Sequence, residues 1–200
     1  MSTTTPSSPS PERRRPARRL LPVVVALGVA SFVVVGWATR PGPSELTAVQ
    51  DVPADVRSEL DVTWSAFAEL FSGRMTCIDD VEVLLVSEVD GGDARYLPAL
   101  GRIEIEIPTT PARFRESLAH ELAHHVETTC GAFEMLRTDL HPLLGDADQP
   151  WSRGPIWFDV PAERYAEHVA ELVVGERVRH RDEVPIQPEV SRLIAAWGSG

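Results

Sequence analysis

Apolar residues recur at helical spacing from 55 to 71, where Val56, Leu60, Trp64, Phe67, Leu70 and Phe71 share one side and Gly73 ends the run. The segment Val81-Glu82-Val83-Leu84-Leu85-Val86 reads as a strand. Asp90-Gly91-Gly92-Asp93 is a turn signal. Ile103 to Ile107 alternates isoleucine with glutamate, the mark of a half-exposed strand, and Pro108 ends it. The helical period then returns: Phe114, Leu118, Leu122 and Val126 stand four apart, after Thr110 as a cap and Pro111 in the first turn, with Gly131 as a stop. Further helices are predicted from Pro161 to Leu172 and from Glu189 to Trp197. Residues 141–160 place Pro142, Gly145, Pro150, Gly154 and Pro155 among Trp151, Trp157 and Phe158, and read as a loop, either over the cleft as part of a substrate pocket or simply packed on the surface. This order of elements predicts an α+β fold, with a small two- or three-stranded β-sheet packed against several helices.

One segment follows neither period. Leu20 to Thr39 runs for twenty residues without a charge. At helical rise that is about 30 Å, enough to span a bilayer core. Five arginines precede it, and positive charge stays on the cytoplasmic side. The expected organisation is a disordered Arg-rich cytoplasmic tail (1–19), a transmembrane signal anchor (20–39), a linker (40–54) and an extracytoplasmic domain (55–200). Cleavage of the N-terminal segment would instead leave a secreted domain. Cysteine usage agrees with export, since only Cys77 and Cys130 are present and both lie in the exported part. An even pair in an oxidising compartment predicts a disulfide.

The total charge of −11 conceals an asymmetry, with +4 on residues 1–19 and therefore −15 on the rest. An acidic body lacks the clustered Lys and Arg that phosphate backbones require, which argues against nucleic acid as a partner. All the basic residues are arginine, a composition that carries little functional meaning.

The chemistry concentrates in Ser117-Leu118-Ala119-His120-Glu121-Leu122-Ala123-His124. With these residue frequencies His-Glu-x-x-His would arise by accident in roughly one chain in a hundred. Four apart on a helix, His120 and His124 offer imidazoles to one metal ion. Glu121 points about 100° away from His120 and about 60° from His124. It can therefore reach a water on the metal without binding the metal itself, the arrangement of two zinc ligands and a general base. His125 turns towards the apolar side and reads as a packing residue. Glu127, two turns after His120, can orient a histidine but reads as solvated.

Catalytic zinc usually takes three protein ligands. Glu163, Glu167 and Glu171 recur every four residues on the later helix, with Ala166 and Ala170 close to that face, so that another helix can approach. Spacing alone does not choose between Glu163 and Glu167, and His168 lies on the far side. The pairing of His120-Glu121-x-x-His124 with Glu163-x-x-Ala166-Glu167 resembles the small gluzincin-type zinc metallopeptidases, the minigluzincins and the catalytic domain of anthrax lethal factor, over roughly residues 75–175. The resemblance implies a zincin-like fold and Zn2+ held by His120, His124 and Glu163, with Glu167 as a supporting carboxylate behind them. Related families use a Tyr or His to stabilise the oxyanion. No residue here matches that position by motif, and Tyr96, Tyr165 and His168 are the options.

The expected function is zinc-dependent peptide-bond hydrolysis by a membrane-anchored extracytoplasmic metallopeptidase, acting on a peptide or protein substrate with Glu121 as the catalytic base. The alternative is an inactive, membrane-tethered metal-binding or interaction module. The 103–107 strand is expected either to pair with an extended substrate as an edge strand or to form a plain structural hairpin. Oligomeric state is not legible.

Overall fold

In the computed structural model the described residues are 44–145, 148–175, 178 and 185–200. The expected cytoplasmic tail and transmembrane anchor lie outside them, as do the first residues of the linker. Among the described residues no helix is long and apolar enough to cross a membrane.

Four strands form one mixed sheet: β1 (Leu46–Ala48), β2 (Val81–Val86), β3 (Ala94–Leu97) and β4 (Arg102–Glu106), in the order β1-β2-β4-β3. β2 runs parallel to both β1 and β4, and β3 is antiparallel to β4. The period of two sets the faces. Val81, Val83, Leu85, Ile103 and Ile105 are buried in the core, while Glu82 and Glu104 point the other way and pair with Arg102 and Arg95. The sheet is thus larger than the two or three strands expected. β1 lies within the stretch read as a linker, and β3 is only four residues long. Both are too short to display an alternation.

Among the described residues five α-helices accompany the sheet: α1 (Ala54–Leu70), α2 (Pro111–Thr129), α3 (Phe133–Leu144), α4 (Pro161–Val174) and α5 (Pro188–Ser199). The architecture is α+β. On α1, Leu60 and Phe67 are fully buried, and on α2 the expected stripe of Phe114, Leu118, Leu122 and Val126 reaches the core. α2 ends at Thr129, short of the expected Gly131, and Cys130 behind it forms a disulfide with Cys77. The helix end is thereby fixed to the segment leading into β2.

α3 corrects the reading of 141–160 as loop throughout. Phe133, Leu136, Leu140 and Leu144 bury one side of this helix, and it carries Pro142 inside its last turn. Proline deep in a helix costs a backbone bond and a clash with the preceding turn. Near the end, burial of Leu140 and Leu144 outweighs that cost. α5 lies against the end of α1, where Gly73 N–H donates to the Gly198 carbonyl (2.9 Å) and a Cβ on Gly198 would overlap the Leu70 carbonyl oxygen.

Candidate metal centre

α2 begins as its sequence requires, with Pro111 at the first position and Thr110 Oγ1 accepting from Arg113 N–H at 3.3 Å. Four residues apart, the His120 and His124 rings stand side by side, their centroids 5.0 Å apart. α4 packs on α2, and both helices turn alanines inward: Ala119 and Ala123 on α2, and Ala162, Ala166 and Ala170 on α4. Small side chains let two helices approach closely, as Ala166 and Ala170 predict. The approach brings Glu163, in the first turn of α4, to the histidines.

Three donor atoms converge there. Glu163 Oε2 lies 3.1 Å from His120 Nε2 and 3.6 Å from His124 Nε2, and the two Nε2 atoms are 3.2 Å apart. Among the described residues these three form the one group able to hold a metal ion. The separations carry a test of fit. Ligands at about 2.05 Å from a tetrahedral zinc stand ~3.3 Å from one another. The observed triangle brackets that value, and two nitrogens with one carboxylate oxygen are a donor set that zinc accepts.

Behind each histidine stands a second carboxylate. His120 Nδ1 faces Glu167 Oε1 at 3.3 Å. His124 Nδ1–H donates to Glu127 Oε1 at 3.4 Å, and Trp151 Nε1–H donates to Glu127 Oε2 at 2.9 Å. Glu127 is therefore held on both oxygens, where the sequence reads it as solvated. Its indole partner lies 24 residues away, beyond the reach of local spacing. Glu167 is buried and contacts the first histidine, and Glu163 takes the place among the three donors.

Charge follows from this crowding. Burial alone would lower both histidine pKa values. The carboxylates outweigh it: Glu163 and Glu167 raise His120 to about 9, and Glu127 and Glu163 raise His124 to about 10. For Glu163 burial pulls upward, but His120 and His124 prevail and hold it well below the usual carboxylate range. A pH dependence follows for the metal-free protein. The folded histidine values lie above the ordinary 6.5, so their contribution to stability is complete below about pH 6.5 and disappears as pH rises through 9 to 10. The Glu163 contribution has the opposite sense and is lost on acidification below its ordinary 4.5. Melting temperature in the presence of a chelator is expected to fall between pH 6.5 and 10; a flat or rising trace would contradict the assignment.

The convergence point lies in a cleft of about 570 Å³. His120, His124, Glu163, Glu121, Glu116 and Trp157 are among its lining residues. Glu121, 8% exposed, stands on the cleft wall beside the histidines. The Trp157 ring stacks on His120, with centroids 5.8 Å apart and planes 19° from parallel. Residues 148–160 thus border the cleft, with Ser152 and Trp157 contributing to its lining.

Of the three options for an oxyanion partner, Tyr96 alone lines the cleft. Tyr165 is fully buried against the Phe133 and Trp151 rings, and His168 is buried with Nδ1 3.1 Å from Ser191 Oγ on α5. His125 packs, as expected: its Nε2–H donates to the Asp79 carbonyl (2.8 Å), and its Nδ1 accepts from the Tyr96 hydroxyl (3.0 Å). Burial lowers the His125 pKa, so that two adjacent histidines, His124 and His125, hold opposite charge preferences.

The 103–107 strand is not the edge. As β4 it is hydrogen-bonded on both sides, to β2 and β3, and the hairpin reading holds. The edge beside the cleft is β3, whose Ala94, Arg95 and Tyr96 line it. No family model, curated protein or solved structure matches this chain, so a functional reading of the cleft rests on its own geometry.

Proposed function

We propose that His120, His124 and Glu163 hold a zinc ion and that the domain hydrolyses peptide bonds, outside the membrane to which residues 20–39 anchor it. The observation that carries this reading is the triangle of donor atoms, with sides of 3.1, 3.2 and 3.6 Å, opening into a cleft that also presents Glu121. Zinc bound there would supply a Lewis acid that polarises a carbonyl and acidifies a water. The chain supplies the rest. Glu167 and Glu127 accept from the Nδ1 atoms of the two histidines, which fixes the tautomer and leaves both Nε2 atoms as donors to metal. The Glu121 carboxylate takes the proton of the attacking water and returns it to the leaving amine. Trp157 covers the His120 ring and shields it from solvent. The open side of β3 offers main-chain groups to an extended peptide, the role considered for 103–107.

The test begins with zinc analysis of the purified full-length chain. One zinc per molecule is expected, and His120→Ala is expected to weaken binding at least about 100-fold. The wild type is expected to cleave peptides from a library that includes basic sequences, with activity lost to a chelator and restored by zinc. Stoichiometric zinc in His120→Ala would sink the metal assignment. Tight zinc without any cleavage would favour a tethered metal-binding module.

A further inference from the structure

We propose that Trp151 and Glu127 act as a positioning pair for this centre, fixing the orientation of His124 and the spacing between the two helices that carry the donor atoms. The proposal rests on the metal-binding reading above. Trp151 bonds to both helices at once. Its indole N–H reaches Glu127 on α2 at 2.9 Å, and Glu127 passes the constraint to His124 Nδ1 at 3.4 Å. Its carbonyl accepts from Ala162 N–H at 3.0 Å. Ala162 lies in the first turn of α4, where backbone N–H groups have no partner within the helix. The next residue is Glu163. One tryptophan therefore connects the second histidine with the start of the helix that supplies the carboxylate.

The indole itself has little freedom. Its ring lies against Phe133 (5.8 Å between centroids), Tyr165 (6.1 Å) and His141 (6.3 Å). The loop that carries it is closed at its base, where the Gln149 side chain donates to the Asp159 carbonyl at 2.7 Å. A glutamate side chain unrestrained on one oxygen would sample several rotamers and hold its histidine loosely. Bonded on both oxygens, Glu127 has one orientation, and so does the imidazole it accepts from.

Two substitutions separate this role from simple packing. Trp151→Phe keeps an aromatic ring against Phe133, Tyr165 and His141 and deletes the indole N–H together with the five-membered ring that carries it. Glu127→Gln keeps shape and removes the charge. Zinc affinity of the full-length protein in detergent is measured by competition with a chromophoric chelator, and the melting temperature of the metal-free form is measured alongside. Glu127→Gln is expected to weaken zinc binding about 10- to 100-fold. Trp151→Phe is expected to weaken it several-fold, and the double variant no further than Glu127→Gln alone, as coupled residues behave. Metal-free melting temperatures are expected to fall by a few degrees, through the smaller ring at 151 and the lost His124–Glu127 pair. Variants that bind zinc as tightly as a zinc-binding wild type would overturn the pair while leaving the metal reading intact. Strictly additive losses of zinc affinity would also overturn it. A wild type that binds no zinc would remove the metal reading and this proposal with it.

Discussion

Glu121→Gln is expected to keep its zinc and lose about a thousandfold in peptide cleavage. The substitution preserves the size of a side chain that is 8% exposed on the cleft wall, so neither packing nor the three donor atoms should change. It removes the one function for which the proposed reaction needs a carboxylate, accepting a proton from water and releasing it to an amine. General acid–base groups contribute typically about 10²–10⁴-fold, which sets the scale of the loss. Zinc content and cleavage rate are measured on the same preparation. A variant that cleaves at a rate within a few-fold of wild type would exclude Glu121 as the base.

The second large effect concerns the scaffold. Replacing Cys77 and Cys130 together by alanine opens a loop closed across 53 positions. In the chain-entropy account such a loop is worth about 4 kcal/mol, roughly a thousandfold in the folding equilibrium. For a domain of this size the corresponding fall in melting temperature is about 10 °C. The disulfide fixes the end of α2, the helix of His120 and His124, but the His125–Asp79 bond remains as a neighbouring anchor. Zinc binding below the new melting temperature is therefore expected to persist. Thermal melts of the two forms decide the matter; a difference below about 2 °C would show that the folded state does not depend on this bridge.

Features legible in the sequence were those that depend on local period. The spacing of His120 and His124, the apolar stripe of α2 and the Thr110–Pro111 start need only helical geometry, and the structure has them all. The pair Cys77 and Cys130 was legible from compartment and count. Spacing leaves Glu163 and Glu167 as alternatives, the resemblance points to Glu163, and the packing of α4 on α2 brings Glu163 to the two histidines. What stayed hidden depends on distant partners. Glu127 reads as a solvated carboxylate until Trp151 arrives from a loop. β3 is four residues with no alternation, so the sequence points to an edge one strand away, in β4. α3 was masked by Pro142, although Phe133, Leu136, Leu140 and Leu144 already stood at helical spacing.

The close approach of α5 to the end of α1 bears on how a saturation mutagenesis map of this chain should be interpreted. Gly198 has no room for any side chain, because a Cβ there meets the Leu70 carbonyl oxygen and the Phe71 ring. It does not line the cleft, yet it should tolerate substitution as poorly as the histidines. Intolerance alone would draw this corner of the protein onto the functional map. Only a screen that scores abundance and turnover separately would assign the defect at Gly198 to folding and the defect at Glu121 to chemistry.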